Sequence, residues 1–280
     1  MPGPPSTTQV AVLLLSLLSL FTTWLGVMLA VRLRENARAI AAGIGFSTGI
    51  MLLISLLELV PESIGILGAP STLLACALGA GLVWTAHLIV PHTHLVKEQG
   101  MADRMLVKSA YLVAFGLVLH DVPEGFAMAN AYIASPQLGV LIAIAIALHN
   151  VPEEFAMAVP AVVVRSRRFL YGAALLSALA EPLGAVIGLV AVGIAPALNA
   201  HFMAFAAGAM IFVSLHELVP MARRYRNMAM FAAGMLLSAP NGCLDARRAT
   251  GHGRHSARLQ PLRAARRAGG QFTRPHRRCA

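Results

Sequence analysis

Charge is what this chain lacks: only 12% of its 280 residues are Asp, Glu, Lys or Arg, about half the share of an ordinary soluble domain. With 58% apolar residues and a mean hydropathy of +0.71, that scarcity excludes a water-soluble globule. Aromatic residues are few as well, at 6%, and none is interleaved with the basic residues in an ordered way, so nucleic acid is not an expected partner. The three cysteines, Cys76, Cys243 and Cys279, show neither a metal-ligand spacing nor a disulfide framework. No GxxxxGK[ST] loop for ATP and no HExxH helix for a zinc hydrolase is present. Met1 to Gln9 has no basic residue ahead of the first long apolar run, so that run reads as a retained span rather than a cleaved leader.

What the chain does have is apolar runs of about 20 residues, the length that crosses a hydrocarbon core of roughly 30 Å. Spans are expected near 8–31, 39–62, 71–91, 109–132, 138–164, 169–194 and 201–221, with a weak eighth over 227–239. The fold class is therefore all-α: a polytopic helical bundle of about eight spans in the lipid bilayer. The net charge of +10 belongs to one end. Residues 1–240 carry twelve Lys and Arg against eleven Asp and Glu, whereas residues 241–280 carry ten Arg and one Asp. The chain divides accordingly into a transmembrane domain over 1–240 and an Arg-rich tail over 241–280 without periodicity, expected to be disordered. Only about thirteen residues precede Pro240 in the eighth run, short of the ~20 needed to span. The abrupt change of character there suggests an altered reading frame or a truncated gene end.

The twelve basic residues of the body fall in four loops, at Arg32/Arg34/Arg38, Lys97/Arg104/Lys108, Arg165/Arg167/Arg168 and Arg223/Arg224/Arg226. These are alternate loops, and the connections 63–70, 133–137 and 195–200 carry no charge. Under the positive-inside rule the basic loops are cytoplasmic and the N-terminus lies outside, in a plasma (inner) membrane.

Two segments then repeat one another. Residues 119–129, LHDVPEGFAMA, match residues 148–158, LHNVPEEFAMA, in adjacent spans. Residues 49–61, GIMLLISLLELVP, match residues 208–220, GAMIFVSLHELVP, at eight of thirteen positions, five spans apart. An odd separation inverts a segment in the membrane. Two nested inverted matches imply a 3+2+3 plan with a pseudo-two-fold axis in the membrane plane, an arrangement that transporters use with the substrate at the repeat interface.

Each copy of the first repeat sets a histidine and a glutamate four residues apart on one helical face: His120 with Glu124, and His149 with Glu153. Both histidines lie about eleven residues into their spans, and Glu181 about twelve into the sixth, which at 1.5 Å per residue puts all three near the bilayer centre. Asp121, Glu124, Glu153, Glu154 and Glu181 share this layer, and no Lys or Arg lies within these spans to pair with them. Each isolated charge costs on the order of 2.5–3.5 kcal/mol there even on the mildest scale. Protons or a bound cation must neutralise them. A set of imidazole nitrogen and carboxylate oxygen suits zinc, iron, manganese or cobalt better than copper(I). Pro123 and Pro152 each remove a backbone hydrogen bond, and the carbonyls of Leu119 and Leu148 are expected to lend oxygens to the path.

Blander readings stand beside these. Buried carboxylates and histidines can act as structural glue, and Glu181 can be a protonated buried acid. Glu58, Glu62, His216 and Glu217 sit near span ends, where snorkelling explains them as well as a gate does. Met128 and Met157 read as packing, and His87, His92 and His94 are weak evidence for a cytoplasmic metal-handling loop. As function, two rivals to metal transport remain: a membrane-embedded metal-dependent hydrolase, and a proton-only carrier.

At the HxVPE pair the chain resembles the ZIP (Zrt/Irt-like) family of divalent-metal transporters, over about residues 1–226. The resemblance implies a binuclear metal site within a 3+2+3 bundle, both termini outside, and metal moving into the cytoplasm. It implies that His120, Glu124, His149 and Glu153 are metal ligands, the two glutamates bridging, with Asp121, Asn150 and Glu181 at the second metal position. The cargo is then Zn2+ first, with Fe2+, Mn2+ or Co2+ as alternatives. The protein is not an enzyme, and a homodimer stays open. Two departures add negative charge: Glu154 replaces the usual small residue after the second Pro-Glu, and Asp121 stands where asparagine is common.

Overall fold

The computed structural model describes residues 6–33, 36–89, 121–163 and 167–239, and every regular element among them is helical. In chain order α1 is Thr7–Leu33, α2 Ala37–Leu67 and α3 Ala69–Ile89. The described part of α4 is 121–134. Then follow α5 (Pro136–Val163), α6 (Arg167–Ile194), α7 (Pro196–Arg224) and α8 (Met228–Ala239). Six of these, α1, α2, α3, α5, α6 and α7, are long and apolar enough to cross a membrane. The all-α bundle expected from the apolar runs is present. The short α8 forms a helix, but at 1.5 Å per residue it extends only about 18 Å. His120, the loop with His92 and His94, and the tail 241–280 lie outside the described residues.

Local chemistry sets the helix ends. Ser6 and Gln9 form a reciprocal capping box at the start of α1. The Asn36 side chain accepts from the Ala39 amide at the start of α2. Between α2 and α3 the chain reverses at Gly68, whose φ of 75° lies in the region open chiefly to glycine. On α3, Leu73, Leu74, Leu78 and Leu82 are all about 60% exposed, an apolar face turned to where lipid would be.

Two helices change pitch midway, at the second sequence repeat. Ile54–Leu59 in α2 and Ser214–Leu218 in α7 are π-helical turns, each just before a proline, Pro61 or Pro220. A proline ring crowds the carbonyl four residues earlier. Widening the preceding turn relieves that crowding without breaking the helix. Neither turn is announced by the periodicity of the sequence.

The packing repeats as the sequence does. A Cβ on Gly26 in α1 would stand 2.8 Å from the Val151 carbonyl oxygen and 3.0 Å from the Phe155 nitrogen of α5. A Cβ on Gly184 in α6 would meet the same atoms of the other copy in α4, overlapping the Val122 oxygen and lying 3.1 Å from the Phe126 nitrogen. The α3–α7 and α2–α8 contacts are likewise backbone to backbone. Small residues give membrane helices this close approach, where no hydrophobic driving force operates. The α1–α5 and α6–α4 pairs are thus equivalent contacts, and they frame the polar layer of the bundle.

Candidate metal centre

α4 and α5 bring the acidic halves of the two HxVPE copies together. Glu124, His149 and Glu153 are each at most 2% exposed, and one ligand atom from each lies within 4.8 Å of the others. His149 Nε2 stands 3.1 Å from Glu124 Oε1 and 3.7 Å from Glu153 Oε2. Its Nδ1 lies 2.9 Å from the Ala145 carbonyl oxygen. A carbonyl only accepts, so Nδ1 carries a hydrogen and Nε2 is the nitrogen turned to the carboxylates. Three electron-rich atoms facing one another hold together only around positive charge, a proton or a cation. Residues 121–163 contain no Lys or Arg that could provide it. His120, the fourth member expected from the motif, lies outside the described residues.

The other expected residues continue the layer. Asn150, 6% exposed, donates from Nδ2 to Glu181 Oε2 at 3.1 Å. The backbone of Glu181 presses on α4 at Gly125, where a Cβ would overlap its carbonyl oxygen. Asp121 Oδ2 accepts from Ser177 Oγ at 2.6 Å. The same hydroxyl reaches Glu154 Oε1, which also accepts from Thr23 Oγ1 at 3.3 Å. Asp121, Glu154, Ser177 and Glu181 are all buried, and so is Thr23.

Near the prolines of α5 and α6, hydroxyls of neighbouring helices meet backbone carbonyls. Leu119 lies outside the described residues. In α5 the carbonyl that meets a buried partner is His149's, one residue beyond Leu148: it accepts from Ser47 Oγ at 2.7 Å. In α6 it is Ala178, four residues before Pro182, whose oxygen accepts from Ser19 Oγ at 3.2 Å. These hydroxyls tie the helices to one another beside the metal-layer residues.

Groups that are ambiguous in the sequence have definite places in the bundle. Glu58 is 9% exposed inside the π turn of α2, turned into the bundle, whereas Glu62 is exposed. Glu217 and His216 are half-buried in the matching turn of α7, the imidazole stacked on Phe212 at 4.8 Å. Met128 packs fully buried in the apolar core. The residues that sequence reasoning passes over are Ser19, Thr23, Ser47 and Ser177. Their only signal is spacing: Ser177 stands four residues before Glu181, and Ser19 four before Thr23, so each pair shares a helical face.

The family model described as ZIP Zinc transporter matches residues 91–239, more than half of the chain. Zinc transporter ZupT of Corynebacterium aurimucosum is 37% identical over 226 residues, covering 74% of this chain and 85% of the relative. ZupT of Chlorobium luteolum is 35% identical over 247 residues, covering 81% and 93%. ZupT of Escherichia fergusonii is 36% identical over 221 residues, covering 75% and 86%.

Proposed function

The chain belongs to the ZIP zinc transporter family, an integral membrane transporter rather than an enzyme, and from that premise we propose that it carries divalent metal, zinc first, into the cytoplasm by alternating access around the α4–α5 layer. The observation that carries the proposal is the convergence of Glu124, His149 and Glu153, all buried, with one ligand atom of each within 4.8 Å of the others. Two carboxylates and one imidazole form a hard-to-borderline ligand set, suited to Zn2+ and next to Fe2+, Mn2+ or Co2+. His149 is pre-oriented by Ala145, as ligating histidines usually are by a group behind them. In this reading His120 completes the first metal position, while Asp121, Asn150 and Glu181 serve the second.

The inward direction rests on the family likeness, and the orientation of the helices rests on charge. With the four Lys/Arg-bearing loops inside, the N-terminus is outside the plasma membrane. If the eighth span does not cross, the tail 241–280, with its ten arginines, stays on the cytoplasmic side.

The test is zinc uptake into proteoliposomes of the purified full chain, beside Glu153→Ala. Uptake by the parent that disappears in the variant is the expected result. Equal uptake by both would remove the site from the path, and metal-independent proton flux by the parent would favour the proton-only carrier.

A further inference from the structure

The two equivalent contacts are not chemically equal. The register that pairs Gly26 with Gly184, through Val151 with Val122 and Phe155 with Phe126, places Thr23 where α6 has Glu181, and Ser19 where α6 has Ser177. In the motifs the same correspondence sets Glu154 against Gly125. At the α4–α6 contact, then, α6 contributes the carboxylate and α4 the glycine. At the α5–α1 contact, α5 contributes the carboxylate, Glu154, and α1 the hydroxyl of Thr23. Each contact keeps one carboxylate, delivered from opposite sides.

Glu154 is joined to the metal layer through Ser177. That hydroxyl lies within hydrogen-bonding reach of Asp121 Oδ2 and of Glu154 Oε1, and all three side chains are buried. A serine hydroxyl has one proton to give, so it donates to one carboxylate at a time. When it donates to Glu154 it withdraws its proton from Asp121 Oδ2, and when it donates to Asp121 it engages that oxygen. Thr23 holds Glu154 in reach by a second bond at 3.3 Å.

We propose that Glu154 is a positioning residue for metal binding: by competing for the Ser177 hydroxyl it governs how Asp121 presents its oxygen to the metal. The proposal rests on the metal-site reading above. It assigns Glu154 no direct contact with the ion. It also gives a role to a carboxylate that the HxVPE pairing itself leaves unused, on a helix face where the first copy has glycine.

The test measures zinc affinity of the full-length detergent-solubilised protein, with manganese as competitor, in Glu154→Gly, Glu154→Gln, Ser177→Ala and the double variant Glu154→Gly/Ser177→Ala. Glu154→Gly should weaken zinc binding about tenfold or more, the usual effect of an outer partner of a ligand, and change the zinc-over-manganese ratio. Glu154→Gln keeps an acceptor for the hydroxyl and should recover most of the affinity. In the Ser177→Ala background the Glu154→Gly change should have no further effect, because the route through the hydroxyl is gone. Independent, additive effects of the two substitutions would overturn the proposal. So would a Glu154→Gly protein whose melting temperature falls while zinc affinity and metal order stay as in the parent. Glu153→Ala serves as the separate control: zinc binding indifferent to it would overturn the metal-site reading itself, whatever Glu154 does.

Discussion

The α4 copy of the repeated motif and the α5 copy share HxVPE, FAMA and a buried position, yet their surroundings divide the labour. The α4 copy meets α6 through glycine, with Gly125 against the Glu181 backbone and Gly184 against the Val122 carbonyl. The α5 copy meets α1 through Glu154 and Thr23, and α2 through Ser47. Glycine packing is common to both contacts, with Gly26 close against α5, and what differs is that the α5 copy carries a hydrogen-bonded carboxylate at the position where the α4 copy has glycine. Duplication provides the layer of buried imidazole and carboxylate groups, and positions 125 and 154 are where the two copies differ in how they meet their neighbours.

The largest effects should come from the residues the two copies share. Glu124→Ala and Glu153→Ala should each reduce zinc uptake by more than ~100-fold, beyond what loss of an outer partner causes. A variant at either position that keeps near-parent uptake would show that only one copy serves the metal. Next comes the glycine packing of the α4 copy. Gly125→Ala forces a methyl into the space of the Glu181 carbonyl oxygen, so α4 and α6 must separate at a cost of about 1–3 kcal/mol. A clear drop in melting temperature in detergent is expected, and an unchanged value would show that the contact is looser than backbone to backbone.

The hydrogen-bonded side should respond more gently. Ser47→Ala leaves the buried His149 carbonyl without its hydroxyl partner, at a cost of about 1–3 kcal/mol and toward the low end where the helix closes up. It should also weaken zinc binding, since Ser47 braces the carbonyl of His149 itself. Zinc affinity equal to the parent's would make this hydroxyl purely structural. The smallest effect, with the opposite sign, belongs to Gly172 on α6. Nothing lies within 4 Å of a Cβ there, so Gly172→Ala should raise helix stability by ~0.5–1 kcal/mol or leave it unchanged.

Much of this architecture is legible in the linear chain. The helices follow from the apolar runs, because a bilayer forces every backbone group to be satisfied within its own segment. Glu124, His149 and Glu153 stand out because ionisable groups at that depth are too costly to be incidental. The π turns at Ile54–Leu59 and Ser214–Leu218 do not. Their cause is one ring crowding one carbonyl, an effect with no period to detect. Glu58 stays ambiguous in the sequence for a related reason: counting residues from a span end gives depth but not rotation about the helix axis, and rotation turns it inward.

By itself, then, the sequence determined the family and helical class of the protein, the apolar runs behind its described helices, the two repeated segments and the acidic residues within them, since each of these depends on position along the chain. Tertiary structure alone decided which groups meet across helices. That Ser177 stands between Asp121 and Glu154, that Ser47 reaches His149 rather than Leu148, and that Glu181 lies against Gly125 all depend on how helices far apart in the chain rotate and approach. Hydroxyls and glycines are common in apolar spans, and nothing in the linear chain marks the few that interhelical contact selects.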